Sequence, residues 1–264
     1  MIYLDKEHAQ KIKKYCQKEY PKEACGILAG KEGMVEKIYR MQNISETPLM
    51  RYFMKPEEQL KVFKTMRADG EELVAIYHSH SASRAYPSET DEELAFYPDA
   101  VYLIISLQNF NKPVFRGFKI TGNGIEEEEI AIRKNILFVC VENSCRSQVA
   151  EAMVNNLYRR KFAAYSAGSK HSVAVNPSAV EVMKEIGIDI SGQKSKGFDA
   201  VKDMEFDYVV TMGCGDACPV YPAALRLDWQ IDDPKGKTLN FFRNARDEIQ
   251  RKIQELSVCR KKQK

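Results

Sequence analysis

The sequence predicts two α/β domains in succession, one on a mixed sheet over residues 1–132 and one on a parallel sheet over residues 135–264. Three observations carry that expectation. At 264 residues the chain exceeds a single ordinary core, which commonly takes ~100–200 residues. The second half alternates apolar strand runs with helical patterns, as a parallel sheet wound by helices requires. The first half closes instead on two extended runs around Thr121-Gly-Asn-Gly124, which reads as an antiparallel pair.

Taken in order, Lys6–Glu19 carries a helical pattern that stops before Pro21. A second helical stretch, Pro56–Asp69, places Leu60, Phe63 and Met66 at i, i+3 and i+6 as its inner face. Residues 73–77 and 101–107 are short apolar strands, and 113–119 with 124–132 form the closing pair. In the second half, residues 135–140 make an apolar strand that leads into a helix over about 146–160. A strand at 163–166, a helix over about 177–186 and a buried strand at 207–212 follow. The last helix, about 238–256, puts Phe242, Ile249, Ile253 and Leu256 on one stripe. Only Arg133-Lys134 separates the halves, without Gly/Ser or Pro-rich sequence, so close tethering is expected.

Composition excludes several function classes. With 44% hydrophobic and 29% charged residues the chain reads as globular, not disordered. The net charge of +3 is spread among acids, and only residues 260–264 cluster bases, as a solvated end does; no nucleic-acid partner is expected. The longest apolar run, residues 100–107, falls far short of the roughly 20 residues that span a bilayer, so no membrane role is expected. Met1-Ile-Tyr-Leu-Asp-Lys6 brings in charge at once and predicts no secretory signal. Seven cysteines under those conditions suggest a reducing, cytoplasmic setting, with thiols kept for chemistry. Cys140, Cys145, Cys214 and Cys218 crowd the second half.

Cys140-Val-Glu-Asn-Ser-Cys-Arg146-Ser147 is a Cys-x5-Arg-Ser loop between a strand and a helix. Backbone N–H groups of Val141, Glu142, Asn143, Ser144, Cys145 and Arg146, with the helix start, can cradle a tetrahedral oxyanion. The same dipoles and the Arg146 guanidinium stabilise a thiolate at Cys140, and Ser147 can donate to its sulfur. The bland reading, a buried structural cysteine and a surface arginine, does not account for the strand before, the helix after and the adjoining serine. No Gly-Lys-[Ser/Thr] follows, so this is not a nucleotide loop.

This loop, with Gln148-Val-Ala-Glu-Ala152, Ser166-Ala-Gly168, Gly187-Ile-Asp-Ile190, residues 209–219 and Asp232-Asp-Pro234, resembles the low-molecular-weight tyrosine phosphatases and the arsenate reductases of that fold. The resemblance implies Asp233 as general acid, where the alternative is a plain Asp-Pro turn. Reduction of arsenate needs two electrons, so a second thiolate must displace arsenite from Cys140 and leave a disulfide. The resemblance assigns that thiol to Cys214 and a third to Cys218, which would present the disulfide to a thioredoxin- or glutaredoxin-type reductant. Lys235-Gly-Lys237 stands where the phosphatases carry tyrosines, which favours the reductase. Glu142 departs from the glycine common there and sets an acid beside an anion site, and Cys214-x3-Cys218 is a shorter spacing than in thioredoxin-coupled relatives.

In the first half, His78-Ser-His80 follows a strand, so both imidazoles face one way. Ser88-Glu-Thr-Asp91 completes His-x-His-x7-Ser-x2-Asp; two His and one Asp leave one position open, as in catalytic zinc sites. Ser-x2-Asp is also a capping box for a helix over 91–96, and the two readings are compatible. Together with Glu23 in residues 21–30, Asn43-Ile-Ser45 and Arg51-Tyr-Phe-Met54, the pattern resembles the JAMM (MPN-type) metallopeptidases over residues 1–132. The resemblance implies Zn2+ on His78, His80 and Asp91, Glu23 as proton shuttle and Ser88 as oxyanion support. It also implies cleavage beside a ubiquitin-like or sulfur-carrier protein. Ser81 replaces the proline most relatives carry, and Cys25 reads as packing. The competing readings are a tyrosine phosphatase in the second half and a non-cutting ubiquitin-like or sulfur-carrier binding module in the first.

Overall fold

The computed structural model describes residues 1–213 and 221–258, and the chain divides into two compact units, residues 1–132 and 133–264. Unit 1 runs β1 (Ile2–Leu4), α1 (Lys6–Glu19), β2 (Cys25–Lys31), β3 (Met34–Met41), α2 (Pro56–Asp69) and β4 (Glu72–His80). It continues with α3 (Glu89–Glu93), β5 (Val101–Ser106), β6 (Val114–Thr121), β7 (Gly124–Glu128) and β8 (Ile130–Ile132). The eight strands form one mixed sheet in the order β7-β6-β5-β4-β2-β3-β1-β8. Its two faces bury separate clusters. Ile12 and Cys16 of α1 join Leu28, Tyr77 and Leu103 on one face, and Met66 of α2 joins Ile27, Ile76 and Ile104 on the other. Alternation along each strand sends neighbouring residues to opposite faces, so each central strand is apolar throughout.

Several expectations are corrected here. His78 and His80 do not follow a strand; they are inside β4, which extends through them because His78 pairs with Cys25 and His80 with Ser106. Leu60 is exposed, and the inner face of α2 centres on Met66. Each i+3 step slips by roughly 60° around a helix, so Leu60 and Met66 cannot share one face. The run 124–132 breaks at Glu129: β7 pairs antiparallel with β6, whereas β8 pairs parallel with β1. The hairpin β2–β3 goes unpredicted because its two-residue turn, Glu32-Gly33, puts a glutamate at φ +50°, an uncommon choice for a turn that favours Asn or Asp. The helix expected at 91–96 is α3, capped by Ser88, so Asp91 sits inside its first turn.

Unit 2 runs β9 (Lys134–Cys140), α4 (Arg146–Leu157), β10 (Phe162–Gly168), α5 (Pro177–Lys184), β11 (Phe206–Thr211), β12 (Ala223–Asp228) and α6 (Leu239–Val258). All four strands are parallel, in the order β10-β9-β11-β12. Asn176 caps α5 by accepting from Ser178 N–H, with Pro177 at the first helical position. The predicted stripe of α6 packs inward: Phe242, Ile249 and Ile253 are buried and Leu256 lies against the same core as Phe138 and Met153. The other sheet face holds Leu137, Val139, Val209 and Phe206. β12 escapes the sequence because it is an edge strand with only part-buried and exposed residues, and so has no apolar run. β9 has β10 on one side and β11 on the other, and the chain turns to opposite flanks from its carboxyl end. That is the place where parallel sheets open a ligand crevice.

Candidate functional sites

The loop leaving β9 is built around Asn143. Its backbone is left-handed, φ +47°, a conformation asparagine tolerates better than most residues, and its side chain is fully buried. Lys196 N–H donates to Asn143 Oδ1 (2.7 Å), as does Gln148 Nε2 (2.8 Å). A backbone N–H can only donate, so it fixes the amide orientation. Asn143 Nδ2 therefore donates to Ser147 Oγ at 2.8 Å. Cys140 Sγ lies 3.0 Å from Ser147 Oγ, a contact in which either atom can be the donor.

The loop carbonyls are held from outside: Lys170 N–H donates to Val141 O (2.8 Å), Ser172 N–H to Glu142 O (2.9 Å) and Asn176 N–H to Ser144 O (2.8 Å). None of the N–H groups of residues 142–145 meets an acceptor among the described residues. Arg146 is buried, with Nη1 on Ile231 O (3.0 Å) and Nη2 on Asp233 Oδ2 (3.1 Å). This geometry suits a guest with tetrahedral, anionic oxygens. Glu142 does not face the cradle unopposed, since its carboxylate is paired with Lys235 and also accepts from Ser144 Oγ (3.3 Å). The neighbouring Cys145 is a different kind of thiol: burial pushes it up to about 12, so it stays protonated. Cys214 and Cys218 lie outside the described residues.

Sequence reasoning missed the layer beneath the loop. Lys196 Nζ bonds both carboxylate oxygens of Glu151 at 2.9 Å, and Glu151 also accepts from Ser166. Only the distance in sequence, 45 residues, hid that pair. Gly168 explains the Ser-Ala-Gly match: a Cβ there would sit 2.8 Å from Val141 O and 2.9 Å from Asn143 N. Gly168→Ala is therefore expected to cost about 1–3 kcal/mol by overpacking and to weaken oxyanion binding by about tenfold. Urea unfolding and phosphate protection of Cys140 from alkylation measure the two effects, and wild-type values in both would mean the loop yields freely.

In unit 1 the sheet itself assembles the second site. Ala24 N–H donates to Ser79 Oγ and Ser79 N–H to Ala24 O, both 2.9 Å, so the segment before β2 lies against the end of β4 and brings Glu23 beside His80. His78 Nε2 and His80 Nε2 are 3.0 Å apart, with Asp91 Oδ1 3.3 Å from the first and Oδ2 3.4 Å from the second. Donors about 2.0–2.1 Å from one tetrahedral zinc ion sit roughly 3.3–3.4 Å from one another. Each imidazole meets a different Asp91 oxygen at that spacing, and the three side chains form a candidate metal site. Ser88 completes a capping box with Asp91, donating from both N–H (2.8 Å) and Oγ (2.7 Å) to Oδ2.

The two imidazoles differ in their electrostatics: burial disfavours charge on His80, but the Asp91 carboxylate, Glu23 and the Arg84 carbonyl raise it above its ordinary value. Burial pushes the His78 imidazole toward its neutral, ligating form. Burial alone would raise Asp91, but the two imidazoles and the Ser88 N–H hold its carboxyl far below the usual range. Burial raises Glu23 to about 7, with Asp91 adding to the shift and His80 opposing it, so its carboxyl can gain or lose a proton near neutrality. Cys25 is buried and its thiol pushed up to about 12 by burial, which leaves it as packing.

A cysteine at the carboxyl end of a central parallel strand, followed by a loop of amides and a buried arginine, is the arrangement expected of a phosphatase-type oxyanion site. Residues 135–264 match the family model for low molecular weight phosphotyrosine protein phosphatase, and residues 5–119 that for prokaryotic homologs of the JAB domain. Over 126 residues the chain is 38% identical to a glutaredoxin arsenate reductase of Synechocystis sp., spanning 47% of this chain and 95% of that one. Over 127 residues it is 42% identical to arsenate reductase 2 of Staphylococcus saprophyticus, again 47% and 95%. A solved arsenate reductase in the phosphate binding state is 38% identical and covers 47% of this chain and 95% of its own, with a TM-score of 0.43. The chain belongs to the arsenate reductases of the low-molecular-weight phosphatase family through its second half, and its first half is a prokaryotic JAB domain. No helix among the described residues is long and apolar enough to cross a membrane.

Proposed function

We propose that the second half reduces arsenate to arsenite by a cysteine relay. The observation that supports this is the Asn143–Ser147–Cys140 chain, which holds the sulfur against a hydroxyl at the start of a loop whose amides meet no acceptor among the described residues. Cys140 forms a bond to arsenic, and Asp233 protonates the oxygen that leaves as water. A second thiolate, Cys214, then attacks Cys140 sulfur; the arsenic–sulfur bond breaks, its electron pair stays on arsenic, and arsenite departs. Cys218 takes over the disulfide with Cys214 and offers it to a thioredoxin- or glutaredoxin-type reductant. The glutaredoxin named for the Synechocystis relative supports the second donor.

The test compares thiol-dependent arsenate reduction with phosphate-ester hydrolysis in the same preparation. Arsenate turnover with one of the two donor systems is expected, with Cys218→Ser stopping after one disulfide-forming cycle. Efficient ester hydrolysis without arsenate turnover would make the half a tyrosine phosphatase, and repeated turnover by Cys218→Ser would reject the three-thiol relay.

For the first half we propose a zinc-dependent (iso)peptidase acting on a ubiquitin-like or sulfur-carrier protein. His78, His80 and Asp91 would hold the ion, and a bound zinc supplies Lewis acidity to the scissile carbonyl. Glu23 moves a proton from water to the departing amine, while Ser88 orients Asp91 and backs the oxyanion. The spacing of the three donors supports this reading.

A further inference from the structure

His78 and His80 are held by different means. His80 Nδ1 lies 3.0 Å from Arg84 O and 2.9 Å from Ser83 Oγ, the second-layer hydrogen bonding that a ligating imidazole ordinarily has. His78 Nδ1 is buried and has no hydrogen-bond partner among the described residues, and the whole side chain is 0% exposed. Across its face lies the ring of Tyr52, centroid to centroid 4.5 Å and inclined by 21°.

Tyr52 does not arrive there by general packing. Asn43 grips its backbone from both sides, accepting from Phe53 N–H at 3.1 Å and donating to Arg51 O at 3.1 Å. The same Asn43 amide donates to Glu23 O at 2.9 Å. One side chain thus ties the stacking ring to the segment that carries the proton shuttle.

We infer that Tyr52 is the positioning residue for His78: its stacked ring replaces the missing hydrogen bond and aims Nε2 at the metal. The inference rests on the metal-centre reading above. A flat ring limits rotation about the imidazole's plane, which an aliphatic side chain of similar size cannot do. Because no acceptor among the described residues meets Nδ1, a bound metal would set the tautomer at His78 and the ring its orientation.

The experiment uses the full chain. Zinc affinity is measured by chelator competition, and cobalt substitution reads the coordination geometry by its visible absorption. Tyr52→Phe keeps the plane and is expected to bind within about threefold of wild type. Tyr52→Leu is expected to bind about 10- to 100-fold more weakly, the range for losing a second-layer partner, and to show altered cobalt bands. A Tyr52→Leu chain with wild-type affinity and bands overturns the inference and leaves the metal site standing. A wild-type chain that takes up no zinc, or takes it up unchanged in Asp91→Ala, overturns both. If Tyr52→Leu does not fold, the wild-type chain still decides: His78 ring protons must carry upfield ring-current shifts, and their absence removes the stack.

Discussion

Replacing Cys140 by serine is expected to abolish arsenate reduction, by at least about 10⁴-fold, with the fold and oxyanion binding retained. The hydroxyl is isosteric enough for the loop, and the amides of residues 142–145 still face their guest, so phosphate should bind the variant. In the proposed relay the variant would lose the sulfur that bonds arsenic and later takes part in the disulfide. Cys145 is the obvious substitute, yet burial keeps its thiol protonated, up at about 12. Cys145→Ser should therefore keep activity within a few-fold, and iodoacetamide near neutrality should label Cys140 before Cys145. Arsenate turnover in Cys140→Ser would remove the sulfur from the reaction altogether.

In the JAB half, Glu23→Gln should keep zinc within about threefold and lose about 10²- to 10⁴-fold in peptide cleavage. The carboxyl is not among the three clustered donors, so metal content is insulated from the change. Its buried place beside His80 is kept by the backbone bonds of Ala24 to Ser79, which the substitution leaves alone. Zinc analysis and a cleavage assay on a ubiquitin-like fusion read the two quantities separately. Full cleavage by Glu23→Gln would assign the proton transfer elsewhere, and lost zinc would make Glu23 a ligand.

Local chemistry made both sites legible in the sequence. Cys140, Arg146 and Ser147 fall within eight consecutive positions, and His78, His80, Ser88 and Asp91 within fourteen, so spacing alone could suggest their meeting. The amphipathic α1 and α6 were legible for the same reason. Partners joined by the sheet were legible only through the family resemblance or not at all. The resemblance named Glu23, which reaches His80 because β2 and β4 pair antiparallel, whereas nothing in the sequence announced that Lys196 meets Glu151 across 45 residues. Tyr52 could be quoted within a motif but not assigned, because its role depends on a ring plane that no spacing encodes. Glu142 looked like a liability as a residue by itself; its charge is met by Lys235, 93 positions away.

The pairing of β1 with β8 has a consequence for synthesis. Ile2, Tyr3 and Leu4 hydrogen-bond alongside Ile130, Ala131 and Ile132, so the first ribbon of the JAB sheet waits for its last. A ribosome must deliver nearly the whole half before that seam can zip, a long-range closure that slows folding relative to local contacts. The reductase half starts with its central ribbon, β9, only two residues later, and can build outward from there as it emerges. Any fragment cut before Ile130 would leave β1 paired on one side only, with β3, so separate expression of the halves should break the chain at Arg133.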